Sequence, residues 1–247
     1  MNSIKKMMLS GALGCLISGM AYADGSSPQP VKPYWQDIQV VAVNKEKPRS
    51  SFMSYADRET ALTSRFEKSP YYSLLNGTWK FFFVDSYKDL PQNITDPSVN
   101  TSSWDDITVP GNWEVQGHGV AIYTNHGYEF KPKNPQPPLL PEANPVGVYR
   151  RDIEIPANWD NRDIYLHIGG AKSGLYVYLN GKEVGYSEDS KNPAEFLINK
   201  YLQPGKNVLT LKIFRWSTGS YLECQDFWRM SGIERDVFLW SQPKASI

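Results

Sequence analysis

The sequence predicts an all-β fold, a jelly-roll β-sandwich of short antiparallel strands preceded by an extended N-terminal arm. Three observations support this prediction. Apolar and polar residues alternate with a period of two over several short stretches, turn residues separate these stretches, and helical periodicity is almost absent. The chain has 247 residues and 40% hydrophobic residues, enough for one large β domain with a packed core.

The first 23 residues have the pattern of a secretory signal peptide. Two lysines precede an apolar stretch over residues 7–20, and the sequence AYA at 21–23 matches the small-x-small cleavage pattern. We therefore expect cleavage after Ala23 and export to the periplasm or the medium. The sequence ALGC ending at Cys15 also resembles a lipobox, so a lipoprotein anchored through Cys15 is the alternative.

Residues 24–55 are expected to form a polar leader followed by an extended arm. The leader is rich in Ser and Pro, and residues 35–54 mix apolar and basic side chains without a clean period. Residues 57–68 are the only candidate for a short helix. The sandwich domain is predicted over residues 56–241, and residues 242–247 are expected to begin a linker to a second domain.

Seven stretches of the domain have the composition or the alternation of strands. They are residues 78–84, 149–155, 164–168, 175–179, 183–187, 208–215 and 235–240. In the second stretch Arg150, Asp152 and Glu154 alternate with Tyr149, Arg151, Ile153 and Ile155, which predicts a half-buried strand. The Asn180-Gly181 pair predicts a tight hairpin turn, because both central residues of such a turn need positive φ.

Two other segments are expected to be irregular. Residues 111–147 are rich in Gly, Pro and Asn and contain several aromatic residues, which is typical of a long loop that is functional or held by its own aromatics. The Asp105-Asp106 pair, next to a tryptophan, is interpreted as a turn rather than as a catalytic pair.

Charge and residue types exclude several functions. The 26 basic and 26 acidic side chains give a formal net charge of zero, and without a basic block nucleic acid is not an expected partner. The three histidines, His118, His126 and His167, have no metal-ligand spacing, so no zinc site is expected. No Ser-His-Asp context is present. If the signal peptide is removed, Cys224 is the one remaining cysteine, and no internal disulfide is expected.

Six segments in order resemble glycoside hydrolase family two, and most closely its large bacterial β-galactosidases. They are LNGTWKF (75–81), VPGNWEVQG (109–117), NPVGVYR (144–150), GYSEDS (185–190) with PAEF (193–196), RWSTGSYLE (215–223) and QDFWRMSGIERD (225–236). The resemblance runs from about residue 35 to the end of the chain. It implies that the chain is the N-terminal sugar-binding jelly roll, the galactose-binding-like domain of such an enzyme.

The resemblance also implies roles for two residues. Asn144 matches an asparagine that shapes the galactoside pocket, and Asp189 matches an aspartate that ligates an active-site sodium ion and contacts a galactose hydroxyl. Proton transfer belongs to two glutamates of a (β/α)8 barrel, with magnesium nearby. On this basis, this chain alone has no cofactor, Asp189 supplies only part of a sodium shell, and sodium and magnesium belong to the complete enzyme.

The residues themselves agree that the hydrolytic machinery is absent from the chain. A retaining glycosidase needs two carboxyl groups about 5 Å apart. The family's acid/base glutamate follows an asparagine, and no Asn-Glu dipeptide occurs in the sequence. A (β/α)8 barrel needs roughly 250 residues of alternating strands and helices. We therefore expect this chain alone to be inactive and to be a fragment of a longer enzyme, with an immunoglobulin-like domain and a barrel as its partners.

Local chemistry leaves alternatives open. Asn144 is also a typical Asn-Pro turn residue, and Glu188 beside Asp189 is interpreted as part of a solvated acidic turn. The aromatic and charged residues at 215–216 and over 221–228 favour packing against another domain. A free-standing carbohydrate-binding module and a structural assembly domain are the alternative functions. Glucuronides and mannosides are alternative substrates, and the resemblance allows a homo-oligomer of the full enzyme.

Overall fold

The computed structural model describes residues 32–130 and 134–245. The predicted signal peptide, lipid attachment at Cys15 and most of the polar leader lie outside these residues. Within them the structure consists of antiparallel strands, short 3-10 turns and one α-helix of five residues, α1 (Arg58–Leu62). The all-β fold class is therefore confirmed. No helix of the described residues is long and apolar enough to cross a membrane.

Sixteen strands are present in the described residues. In chain order they are β1 (Ala42–Val43), β2 (Tyr72–Leu74), β3 (Gly77–Val84), β4 (Asp105–Val109), β5 (Gly111–Asn112), β6 (Ile122–Thr124), β7 (Val146–Glu154), β8 (Arg162–Ile168), β9 (Ala171–Lys172), β10 (Gly174–Leu179), β11 (Lys182–Ser187), β12 (Ala194–Leu197), β13 (Lys206–Phe214), β14 (Phe227–Arg229), β15 (Gly232–Ile233) and β16 (Val237–Pro243). Each predicted strand stretch overlaps one of them.

Two sheets form the sandwich. The larger has seven strands in the order β1-β11-β10-β13-β7-β3-β4, and the smaller has four in the order β12-β8-β16-β2. Two small sheets, β14-β6 and β5-β15-β9, lie among the connections. The hairpin turn between β10 and β11 has Asn180 at φ 53° and Gly181 at φ 77°, as the Asn-Gly pair predicts.

The main core lies between the two sheets. Alternate residues of the long strands face inward, among them Phe81, Tyr149 and Leu211 from the larger sheet and Leu166 and Leu239 from the smaller one. All five are almost completely buried. The two-residue period that predicts these strands is thus the period of their core-facing side chains.

The outer face of the larger sheet is covered too. Trp35 of the arm is buried there and stacks on Phe214 of β13, with ring centroids 5.0 Å apart. Residues 87–104 cover the neighbouring part of the same face and contribute Trp104, whose ring lies 5.5 Å from that of Phe82. Both faces of the central strands are therefore removed from water.

Because the outer face is covered, the prediction of a half-buried strand over residues 149–155 is wrong for the first part of β7. The first five residues of β7 are all buried, Arg150 included. The Arg150 guanidinium donates hydrogen bonds to the backbone oxygens of Ile94 (2.7 Å) and Val99 (3.2 Å) and to the Thr210 hydroxyl (3.2 Å). Asp152 and Glu154, beyond the cover, are exposed as the alternation predicts.

The arm then passes around one edge of the sandwich. Its strand β1 pairs with β11 at the edge of the larger sheet, and the Glu46 amide donates to the Glu195 carbonyl of β12, the edge of the smaller sheet. Arg49 binds the Glu195 carboxylate through two nitrogens, at 2.9 and 3.0 Å. Met53 packs with Trp240 on the outer face of the smaller sheet. The arm therefore closes two exposed strand edges.

The Asp105-Asp106 pair does not form a turn, and that interpretation is wrong. Both residues begin β4, the edge strand that pairs with β3. Their side chains are exposed, and Asp106 forms a salt bridge of 2.8 Å with Lys80 on the neighbouring strand. Acidic side chains are tolerated here because an edge strand can face water.

Replacing Trp35 with alanine should destabilise the fold by about 3–5 kcal/mol, because a fully buried indole would leave a cavity on the outer face of the larger sheet. Urea unfolding, followed by the far-UV circular dichroism of the backbone, measures this change. Val41→Ala is the matched control, since Val41 lies in the same arm and is 62% exposed. Equal stability of the two variants would contradict the role given to the arm.

Candidate functional site

The antiparallel register brings the two predicted site residues to one end of the larger sheet. Val146, the first residue of β7, pairs with Phe214, the last of β13, and Phe214 also pairs with Gly174, the first residue of β10. Leu175 in turn pairs with Ser187, the last residue of β11. The residues that precede β7 and follow β13 and β11 therefore emerge together, and these are the segments with Asn144, Trp216 and Asp189.

Asn144 is completely buried and binds the chain that follows β13. Its side-chain nitrogen donates to the Trp216 carbonyl at 2.8 Å, and its side-chain oxygen accepts from the Trp216 amide at 3.0 Å. The backbone continues this pairing, since the Arg215 amide donates to the Pro145 carbonyl. In this structure the Asn144 side chain fixes the position of Trp216. Its contact with a sugar stays a prediction.

Residues 111–147 are not irregular throughout, because they contain β5, β6 and the first two residues of β7, but aromatic side chains hold residues 128–130 against the fold, as predicted. The ring of Phe130 lies 5.5 Å from that of Trp216 and 5.1 Å from that of Tyr221. The Trp216 indole nitrogen donates to a Glu129 carboxylate oxygen at 2.9 Å. Tyr128 packs edge-on against Tyr221, with ring centroids 4.8 Å apart. These contacts pack the loop against the chain that follows β13.

Asp189 is exposed and has a left-handed backbone, with φ 74°. Its two carboxylate oxygens accept from the side-chain nitrogen of Asn192, at 3.0 and 3.1 Å. It lines a groove of about 320 Å³ beside the arm, together with His167 and Phe52. Lys45 lines the same groove: burial lowers the pKa of its ammonium group, and the negative charge of Asp189 opposes that change.

The interpretation of Glu188 as a solvated turn residue is wrong, because Glu188 is only 4% exposed. Its carboxylate accepts from the Tyr186 hydroxyl (2.7 Å), the Thr218 hydroxyl (3.0 Å to each oxygen) and the Gly219 amide (2.6 Å). Burial raises the pKa of this carboxyl, and the hydrogen bonds to Tyr186, Thr218 and Gly219 oppose the rise. A local pattern could not show this, since two of the three donors, Thr218 and Gly219, lie about 30 residues away in the sequence.

Glu223 is a second residue that local sequence reasoning missed. One of its carboxylate oxygens accepts from the Ser190 amide and the other from the Ser190 hydroxyl, both at 2.6 Å. Ser190 is buried. The one available signal was that Glu223 ends one of the six segments that carry the family resemblance. The structure thus joins three of these segments, at 144–150, 185–190 and 215–223.

Next to this end of the sheet lies a partly exposed aromatic pair. Tyr123 of β6 and Trp228 of β14 are each more than half exposed, and their ring centroids are 5.7 Å apart. The Tyr123 hydroxyl donates to Asp226 at 2.7 Å. Leu222 nearby in sequence is 86% exposed. Such a group of exposed apolar side chains is typical of a surface that binds a sugar or another domain.

Two buried arginines near this pair each have a carboxylate within 4 Å. Arg229 lies 3.8 Å from Glu129, and Arg215 lies 3.5 Å from Glu114. The buried Lys172 ammonium lies 5.2 Å from the centre of the Phe227 ring. Across residues 32–130 and 134–245, no three His, Cys, Asp or Glu side chains come together in a way that could hold a metal ion.

Comparison with known proteins gives one family match. The sequence model described as "Glycosyl hydrolases family 2, sugar binding domain" matches residues 72–243. This range begins at β2 and includes every strand after it, so it covers the smaller sheet, the larger sheet apart from β1, and both predicted site residues.

Curated relatives are β-galactosidases. The chain is 40% identical over 218 residues to a β-galactosidase of Priestia megaterium, covering 87% of this chain and 21% of that protein. It is 41% identical over 206 residues to a β-galactosidase of Actinobacillus pleuropneumoniae, covering 83% of this chain and 20% of the relative. The chain thus spans about a fifth of the length of the relatives it matches.

Among solved structures, a β-glucuronidase of Bacteroides uniformis superposes with a TM-score of 0.53. The identity is 25%, and the match covers 70% of this chain and 18% of that one. The similarity supports the sandwich architecture, since it extends over most of the described residues.

Asn144→Ala should lower the free energy of unfolding by about 2–4 kcal/mol, because two buried backbone groups of Trp216 would lose their hydrogen-bond partners. Urea denaturation measures this loss. Asn192→Ala is the control, since Asn192 is an exposed asparagine whose side chain binds only Asp189 in the described residues. A loss in the Asn144 variant no larger than in the control would show that the Trp216 pairing is unimportant.

Proposed function

Because the chain belongs to glycosyl hydrolase family 2, we propose that it acts as the sugar-binding domain of a β-galactosidase that hydrolyses terminal β-D-galactosides such as lactose. The observation that carries this proposal is the 40% identity over 87% of the chain to a β-galactosidase. The β-glucuronidase resemblance, at 25% identity, is weaker, so galactosides are favoured over glucuronides.

In this proposal the domain positions the substrate and transfers no proton. Asp189 contributes an exposed carboxylate that accepts hydrogen bonds from a sugar hydroxyl, as it accepts them from Asn192. Asn144 contributes through Trp216, whose backbone it holds at the same end of the sheet. The two carboxyl groups that perform hydrolysis belong to the barrel of the complete enzyme, which supplies an acid/base and a nucleophile.

Sodium is proposed to bind at Asp189 in the complete enzyme. Hard cations take oxygen ligands, usually six or more, and Asp189 offers at most two. The described residues hold no cluster of three His, Cys, Asp or Glu side chains that could bind a metal ion, and we propose that other domains, water and substrate supply the remaining oxygens. Magnesium is proposed to bind beside the barrel glutamates and to involve no residue of this chain.

The location and partners of the protein follow from the same proposal. The N-terminal signal pattern supports export to the periplasm or medium, with lipid anchoring through Cys15 as the alternative. The partners are a galactoside and the immunoglobulin-like and barrel domains of the enzyme, and a homo-oligomer of that enzyme is compatible with them. Leu222, which is 86% exposed, and Trp228 are the residues we propose to lie against another domain.

A free-standing carbohydrate-binding module is the second candidate, and the exposed Tyr123–Trp228 pair favours it. Flat aromatic side chains with a neighbouring carboxylate, here Asp226, suit the apolar face and hydroxyl groups of a sugar. This function requires the chain alone to bind galactosides. Calorimetric titration of the 247-residue chain with lactose measures that binding directly.

In the full-length gene product, Asp189→Ala should reduce galactosidase activity and abolish the response of that activity to sodium. The loss of one charge-assisted contact to substrate and ion is expected to lower kcat/KM by roughly tenfold to a hundredfold. Steady-state kinetics over a series of sodium concentrations at constant ionic strength give both values.

The control for this variant is Asp106→Ala, which removes an exposed aspartate from the edge strand β4. The control should keep the sodium response of the unaltered protein. A sodium response in the Asp189 variant equal to that of the control would contradict the role assigned to Asp189.

A further inference from the structure

The backbone of Asp189 is held in a conformation that a non-glycine residue rarely adopts. Its φ of 74° lies in the left-handed region, where a side chain is close to the neighbouring carbonyl. Among the described residues the Asp189 side chain hydrogen-bonds only to Asn192, which lies three residues further on in the same turn. Such a conformation persists only when the surrounding contacts determine it. The residues on either side of Asp189 must therefore hold the turn.

Glu188 directly precedes Asp189, and the contacts of its side chain and backbone fix its position. Its carboxylate accepts four hydrogen bonds from three donors, two of which belong to the 218–219 turn after β13. Its own backbone is fixed as well, since the amide donates to the Val41 carbonyl and the carbonyl accepts from the Ser187 hydroxyl. At 4% exposure, this residue is shielded from bulk solvent, so protein donors determine its position.

Glu223 holds the residue after Asp189. Its two carboxylate oxygens bind the amide and the hydroxyl of Ser190, each at 2.6 Å. Glu188 and Glu223 therefore connect the two neighbours of Asp189 to one short segment, residues 218–223. That segment is itself rigid: the Ser217 and Ser220 side chains form a capping box, and the Ser173 hydroxyl donates to Ser217 at 2.7 Å.

From this geometry we infer that Glu188 and Glu223 are positioning residues that hold the Asp189 carboxylate in its binding orientation. The inference rests on the proposed function for the role of Asp189, but the positioning itself is a property of the fold. Neither glutamate binds substrate in this account. Glu188 is buried, and both oxygens of Glu223 are occupied by Ser190.

The side-chain amide of Asn192 reports on this orientation, because it lies 3.0 and 3.1 Å from the two Asp189 oxygens. We expect Glu223→Gln in the full 247-residue chain to shift the Asn192 side-chain amide resonances and to speed their exchange with water roughly tenfold. Nuclear magnetic resonance of the uniformly nitrogen-15-labelled chain measures both. Asp189→Asn gives the reference spectrum for a lost carboxylate.

A second variant reaches Glu188 without changing any charge. A Cβ at position 219 would lie 2.9 Å from a Glu188 carboxylate oxygen, so Gly219→Ala must displace that carboxylate. It should perturb the same Asn192 resonances. Glu46→Gln is the control, since Glu46 is exposed and lines the same groove. Folded Glu223→Gln or Gly219→Ala protein with the Asn192 resonances of the control would overturn the inference.

Kinetics separate a positioning role from a merely structural one. In the full-length gene product, we expect Glu223→Gln to weaken the apparent affinity for sodium roughly tenfold when Asp189 is present, and to cause no further loss of kcat/KM in the Asp189→Asn background. Effects that multiply in the double variant would contradict the inference. If the unaltered protein lacks galactosidase activity, the proposed function fails, and the resonance experiment still decides the positioning role.

Discussion

The structure depends on one constraint, that the central strands of the larger sheet carry large side chains on both faces and both faces must be covered. The smaller sheet covers one face, while Trp35 of the arm and residues 87–104 cover the other. Burial of this apolar surface is the main favourable contribution to folding. The arm is therefore part of the fold, and its passage around the edge places Lys45 and Arg49 beside Asp189 in one groove.

The same strand pairing creates the site. Because β7 begins and β13 ends at one end of the sheet, residues distant in sequence meet there. Asn144 fixes Trp216, which directly precedes residues 217–223. Two glutamates join that segment to residues 188–190, since Glu188 accepts from Gly219 and Glu223 accepts from Ser190. The rigid sheet ends thus determine where an exposed carboxylate, Asp189, is presented, which is what a domain that orients a substrate requires.

Local patterns predicted the long strands and the β10–β11 turn, because alternation and Asn-Gly chemistry are determined within a few residues. They could not predict the environment of Arg150 or Glu188, since the groups that bury both side chains come from distant segments. The six resembling segments predicted the family, and the structure shows the contacts by which three of them meet. The roles of Asn144 and Asp189 toward a sugar came from the resemblance alone.

The native size of the protein is the most direct test of whether this domain belongs to a complete galactosidase. An antibody against this domain, used to blot an extract of the host, shows whether the domain occurs within a longer polypeptide. We expect a band on the order of 100 kDa, enough for several further domains and a barrel. A band no larger than the 247-residue chain would contradict the assignment to a complete galactosidase and make a free-standing sugar-binding module the leading function.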